Sequence, residues 1–163
     1  MSTTATGFNL KQYLIDNVQM MTSTYVADLG FIPEDKQGAV PMGKARTAVE
    51  FTAECAGFNF FVAGLCAKGK ASSMTPDERK AYMESIDTGA KAIEALNKSA
   101  LVLTSAIAEL SDDDLMQEVT MPWGSVVPLY KAISMSYGHM MYHCGQVNYI
   151  QSLFGDDANH WGG

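Results

Sequence analysis

Apolar residues recur at steps of three and four along four long stretches of the chain, and this spacing marks one buried face of an α-helix. The stretches cover residues 10–29, 48–69, 88–110 and 125–154. No stretch alternates apolar and polar residues over the length of a strand, and no internal repeat is found. The sequence therefore predicts an all-α four-helix bundle with short extra helices in the connections.

Sequence patterns typical of the first turn of a helix support the predicted helix starts. Thr47 and Glu50 fit a capping box, in which the Thr47 hydroxyl accepts from the Glu50 N–H and the Glu50 carboxylate accepts from the Thr47 N–H. The segment 75–78, Thr-Pro-Asp-Glu, predicts a short helix to about Ile86, with proline where no N–H is needed. The third long helix is expected to begin at residue 87 or 88.

The connections are predicted from glycine, proline and polar clusters. Residues 30–46 contain two prolines and three glycines and are expected to form a loop. Residues 111–119 are expected to add one more helical turn. We predict that Ser125 caps the last helix, that Pro128 lies in its first turn, and that Gly155 ends it.

Composition limits the class of protein. A chain of 163 residues with 47% hydrophobic residues favours one domain, with a polar N-terminal tail (1–7) and a C-terminal tail (156–163). The net charge of −7 disfavours direct binding to nucleic acid or to an anionic membrane surface. We expect a cytoplasmic protein for three reasons. The three cysteines form no close pairs, and the sequence has no signal-peptide pattern. The most apolar stretch (56–67) is too short to span a bilayer.

Two of the three histidines in the chain, His139 and His143, are four residues apart on the last predicted helix. Side chains at this spacing lie one above the other, so both imidazoles can converge on one cation. The alternative is two ordinary histidines hydrogen-bonded in a semi-polar core. Two ligands are also an incomplete site, because catalytic zinc normally has three protein ligands and a water.

Glu54 is the best candidate for the third ligand. It lies between Phe51 and Phe58 in the apolar stripe of the second long helix, where an unpaired carboxylate is costly to bury. A nearby dication would offset that cost. The alternative is that Glu54 faces solvent or pairs with a basic residue.

Other candidates are weaker. Cys144 and Cys55 each follow a candidate ligand but point about 100° away around the helix, which favours core packing over ligation. Gln146 lies on nearly the same face as His143 and could orient it or bridge helices. His160 lies beyond the last helix and is expected in a solvated tail.

The last helix also carries a family resemblance. Residues 139–155 contain the His-x-x-x-His pair before Gly-Gln and finish in a Tyr-Ile…Leu-Phe-Gly pattern. This pattern resembles the last helix of DinB-like (DinB/YfiT) proteins. Residues 31–35 resemble the loop after the first helix of that family, residues 46–59 its second helix, and residues 110–124 the approach to its last helix. The resemblance covers about residues 10–155.

The resemblance implies a bundle of up-down-down-up topology with a divalent metal between the helices. It implies one histidine ligand on the second helix and two on the last. His139 and His143 match the latter pair, while the former position falls on Glu54, which departs from the pattern. Glu54 then completes a two-His-one-carboxylate site for zinc, nickel or iron, or acts as a general base beside the metal, or the site has been lost.

Two functional hypotheses follow. In the first, the chain is a metal-dependent hydrolase or thiol transferase that acts on a small molecule, as the resemblance implies. In the second, it is a non-catalytic bundle, metal-free in the extreme case, with a stress-associated or binding role. Either form is expected to be a homodimer, because the bundle is small and rich in methionine and aromatic residues.

Overall fold

The computed structural model describes residues 7–67 and 75–160. Four long helices dominate these residues and confirm the predicted all-α bundle. The elements, in chain order, are α1 (Leu10–Phe31), α2 (Glu34–Gln37), α3 (Ala48–Cys66), α4 (Pro76–Ser85), α5 (Gly89–Ala108), α6 (Asp112–Leu115), β1 (Glu118–Thr120), β2 (Val126–Pro128) and α7 (Leu129–Leu153).

The four long helices surround the main hydrophobic core, and a smaller second cluster lies beside it. Helices α1 and α3 each pack against both α5 and α7, so they occupy opposite corners of the bundle. The core is filled by large side chains that are almost completely buried, among them Tyr25, Leu29, Leu103, Ile133 and Met140. Burying each of these side chains contributes about 1.5–3 kcal/mol, which is what holds the helices together.

Helix α3 is the central helix for the site. It is the one helix in the described residues that is long and apolar enough to cross a membrane by length and composition alone, yet more than half of that stretch is buried against the other helices. Its composition is that of a core helix, since a helix that is apolar on most sides is stable inside a bundle.

The predicted starts of α3, α4 and α5 are confirmed. The Thr47 hydroxyl accepts from the Glu50 N–H at 3.1 Å, and Glu50 Oε2 accepts from the Thr47 N–H at 2.7 Å. A second capping box begins α4 at Thr75. Thr88 caps α5, and Gly155, with φ of +97°, follows the end of α7 in the left-handed region that glycine adopts readily.

The connections differ from the sequence prediction in three places. Helix α2 forms one turn within the expected loop 30–46. Residues 118–128 form a β-hairpin, so the prediction of no strands was wrong. Ser125 lies in the hairpin turn, where its carbonyl accepts from the Met121 N–H at 2.9 Å, and α7 begins only after Pro128. The predicted extension of the second helix to residue 69, and the outer parts of both tails, lie outside the described residues.

Helix α2 supports the C-terminal end of α1 through Gln37. Its buried amide nitrogen donates to the carbonyl oxygens of Leu29 at 3.2 Å and Ile32 at 3.0 Å. The amide packs directly on Gly89 at the start of α5, where a Cβ atom would lie 1.5 Å from Gln37 Oε1. Glycine is therefore required at residue 89 because only a residue without a side chain leaves space for this amide.

We expect Gly89→Ala to lower the free energy of unfolding by about 1–3 kcal/mol, because the methyl group displaces Gln37 from two buried carbonyl groups. Urea denaturation followed by circular dichroism measures the change. Gly138→Ala in α7 is the matched control: apart from the adjacent residues and the backbone of its own helix, nothing lies within 4 Å of its added Cβ, so it should be neutral or stabilising. Equal midpoints for Gly89→Ala and the wild-type protein would contradict the assignment.

Candidate metal centre

Three residues on one face of α3, Phe51, Glu54 and Phe58, contact the two histidines of α7. The Phe51 ring stacks on His143 with ring centroids 4.9 Å apart, and the Phe58 ring meets His139 edge-on, also at 4.9 Å. Glu54, between them, reaches both imidazoles. The structure thus brings together the three residues that sequence analysis selected as ligands.

The three potential ligand atoms form a small triangle. His139 Nε2 and His143 Nε2 are 2.9 Å apart, and Glu54 Oε1 lies 3.3 Å from the first and 3.5 Å from the second. In a tetrahedral zinc site with bonds of about 2.0–2.1 Å, neighbouring nitrogen and oxygen ligands are about 3.3–3.4 Å apart. The donor set and its spacing therefore fit a divalent cation without a large movement.

Glu54 also has a basic partner. The Arg46 guanidinium donates to Glu54 Oε2 and lies over the Phe51 ring, 4.7 Å from its centroid. Partial burial acts to raise the pKa of Glu54, but the hydrogen bond and charge of Arg46 outweigh it and lower the pKa below its ordinary value. The carboxylate is therefore ionised at neutral pH, and it keeps Oε1 directed at the histidines.

The two histidines have different surroundings. His143 is buried, and its Nδ1 lies 2.6 Å from the side-chain oxygen of Gln146. Because an amide oxygen can only accept, this contact assigns a proton to Nδ1 and leaves Nε2 as the nitrogen directed at the site. This arrangement agrees with the orienting role considered for Gln146. Burial, and then the neighbouring His143, lower the pKa of His139, so this ring is neutral at neutral pH.

Cys55 comes closer to the site than its helical position suggested. Its sulfur and one nitrogen each of His139 and His143 lie within 4.8 Å of one another, a cluster that could hold a metal ion. Glu54 Oε1 lies 3.3 and 3.5 Å from the two Nε2 atoms and is already ionised. Burial, by contrast, raises the pKa of the Cys55 thiol and favours its protonated form. We therefore regard Cys55 as an adjacent thiol and Glu54 as the better third donor.

The remaining candidates lie elsewhere. Cys144 is buried, as expected, and its thiol donates to Asp28 Oδ2 at 2.8 Å. His160 is not in a solvated tail: its ring stacks on Phe31 with centroids 3.6 Å apart, and its Nε2 lies 2.8 Å from Asp156 Oδ2. These contacts attach the end of the described chain to α1 and keep His160 out of the candidate metal cluster.

An open pocket of about 490 Å³ adjoins the cluster. Glu54 and His139 lie on its wall, and its other lining residues are apolar or glycine: Gly57, Phe58, Phe61, Met83, Pro122, Trp123 and Met135. A small molecule in this pocket would therefore contact the candidate metal ligands directly.

Sequence analysis missed two of the residues that define the site. Arg46 lies just before α3 and reaches Glu54 from eight residues away, a separation that no helical spacing rule connects. Trp123 lies in the turn of the β-hairpin, and only the pairing of β1 with β2 brings it to the pocket. Both depend on chain folding outside the regular helices.

Comparison with known proteins identifies the fold. No protein-family model matches the sequence, and no curated protein matches it. Among solved structures, the chain is similar to a mycothiol-dependent maleylpyruvate isomerase, with a TM-score of 0.72, and to a histidine-to-alanine mutant of that enzyme, with a TM-score of 0.70. Sequence identity is 18% in both cases, and the match covers 90% of this chain and 63% of the other. The chain thus has this fold, in agreement with the DinB-like resemblance, and spans less than two thirds of the isomerase's length.

Proposed function

We propose that this chain is a divalent-metal-dependent enzyme that acts on a small thiol or carbonyl compound, with Glu54, His139 and His143 as its metal ligands. The observation that carries the proposal is the triangle of ligand atoms at 2.9, 3.3 and 3.5 Å. The likeness to a thiol-dependent isomerase supports the thiol-related class, and the sequence departs from the three-histidine pattern of the family only at Glu54.

Each protein group has a defined task in this proposal. The ion, when bound, supplies a Lewis acid that favours the deprotonated form of a water or thiol ligand. Gln146 fixes the ring of His143, and Arg46 fixes one oxygen of Glu54 so that the other points inward. Phe51 and Phe58 pack on the imidazoles and exclude water from one side, which strengthens the electrostatic interactions there.

The test is a titration of zinc into tag-free protein at two pH values. We expect one ion per chain at pH 7, and weaker binding as the pH falls below about 6, because protons compete for histidines whose unperturbed pKa is ~6.5. Because the pKa of His139 is lowered, protons displace zinc from this ring only at a lower pH than from a histidine with the ordinary pKa. No uptake by protein that remains folded would contradict the proposal and favour the metal-free bundle.

We also propose that the chain forms a homodimer. Large apolar side chains on two helices are exposed in pairs seven residues apart, Tyr13 with Met20 on α1 and Tyr142 with Tyr149 on α7, and each is at least half exposed. Residues at this spacing share one helix face, and exposed apolar faces mark interfaces. Light scattering at micromolar concentration should give twice the chain mass, and a value near 17.6 kDa would refute the dimer.

A further inference from the structure

The pocket beside the candidate metal centre is built by four separate parts of the chain. Helix α3 contributes Phe58 and Phe61, α4 contributes Met83, the hairpin turn contributes Trp123, and α7 contributes Met135. A volume of about 490 Å³ lies within the range of roughly 300–1,000 Å³ found for small-molecule sites. The pocket is therefore large enough for a substrate and continuous with the ligand atoms.

Gly57 contributes to the shape of this pocket. A Cβ atom at residue 57 would lie 3.2 Å from Met83 Sδ, so the absence of a side chain lets α4 close on α3. Met83 then forms one apolar wall and Trp123, which is 61% exposed, forms part of the rim. Methionine and tryptophan side chains adapt well to flat, polarisable molecules such as aromatic rings.

Charge limits what the pocket can bind. Among the residues that the structure describes, the polar lining residues are Glu54 and His139, and none of the lining residues is lysine or arginine. Arg46, which is next to the site, donates to Glu54 and lies over Phe51. In the metal-free protein a carboxylate in the pocket would lie near the ionised Glu54. With the ion bound, only a group at the Glu54–His139 end would meet a cation, and a carboxylate on the body of the substrate would still lose its hydration against apolar walls.

We infer that this pocket binds the uncharged, apolar or aromatic body of the substrate, while the one polar group that reacts lies at the Glu54–His139 end. The inference rests on the proposed function, because it assigns a substrate class to that enzyme. It excludes substrates that carry several carboxylates, such as small dicarboxylic acids, as the preferred class.

Binding of an uncharged fluorescent probe, N-phenyl-1-naphthylamine, tests the inference on metal-free protein prepared with a chelator. We expect saturable binding, displaced by 2-naphthylmethanol at a concentration at least about tenfold lower than by 2-naphthoate, which differs from it by the carboxylate. Met135→Lys should weaken probe binding about tenfold or more, because it places a cation in the apolar wall. Met116→Lys, at an exposed position after α6 and outside the pocket lining, is the matched control and should leave binding unchanged.

The outcomes separate this inference from the proposed function. Absence of probe binding, equal displacement by both naphthalene compounds, or equal losses in the two lysine variants would overturn the inference. The zinc titration of the same preparation reports on the metal site independently. Zinc uptake without probe binding would refute the substrate class alone, whereas probe binding without zinc uptake would support the pocket and refute the metal enzyme.

Discussion

His139→Ala should lose tight zinc binding, with an affinity at least about 100-fold below that of the wild-type protein. Loss of a residue that only orients a ligand typically costs about 10–100-fold, and loss of a ligand should cost no less than the upper end of that range. The alanine variant leaves a single histidine and one carboxylate, a set too small to hold the ion firmly. Competition with a chromophoric chelator measures the constant.

His160→Ala is the control for this experiment. It removes a histidine that is bound to Asp156 and stacked on Phe31, away from the candidate cluster, so zinc affinity should be unchanged. Circular dichroism establishes that both variants are folded. A titration of His139→Ala that superimposes on the wild-type curve would rule out the site.

Three substitutions at Glu54 separate its two candidate roles. As a ligand, Glu54 contributes a charged oxygen, so Glu54→Gln should reduce zinc affinity about 10–100-fold or more, while Glu54→His, which restores three histidines, should retain zinc. As a general base alone, Glu54→Gln would keep the full zinc content and lose only turnover. Glu54→Ala removes both functions and gives the lower limit of affinity.

Glu94→Gln, at an exposed position on α5, controls for the loss of one negative charge and should leave zinc affinity unchanged. Metal content by elemental analysis and affinity by competition are both needed, because the ligand and base hypotheses differ in the first measurement. Full zinc content and affinity in Glu54→Gln would contradict the ligand assignment.

The fold was predictable from sequence where the information is local. The spacing of apolar residues defined the four long helices, and a hydroxyl three residues before a carboxylate located the starts of α3 and α4. Helix α2 and the β-hairpin were not predictable, because elements of three or four residues are too short to show a period. Ser125 has the side chain of a helix cap, but strand pairing places it in a turn instead.

The residues of the candidate site were likewise predictable from sequence only where their positions follow from a single helix. The spacing of His139 and His143 is a property of one helix and could be identified directly. The position of Glu54 depended on the rotation of α3 against α7, which the apolar stripe indicated because Phe51 and Phe58 flank it. The ion pair between Arg46 and Glu54 depends on the path of the chain before α3, and the spacing of residues along a helix cannot predict that path.

The unequal hydrogen bonding of the two histidines has a consequence for the metal-free protein. Gln146 fixes the proton of His143 on Nδ1, so the hydrogen bond at 2.9 Å requires His139 to carry its proton on Nε2, facing the lone pair of His143 and the carboxylate of Glu54. That proton bridges the same groups that a cation would bridge. Within the described residues, the other ring nitrogen of His139 is buried without a hydrogen-bond partner. Binding an ion at His139 Nε2 therefore requires the proton of this neutral ring to move to Nδ1, the nitrogen that has no partner among the described residues of the metal-free protein, and no proton has to leave the site.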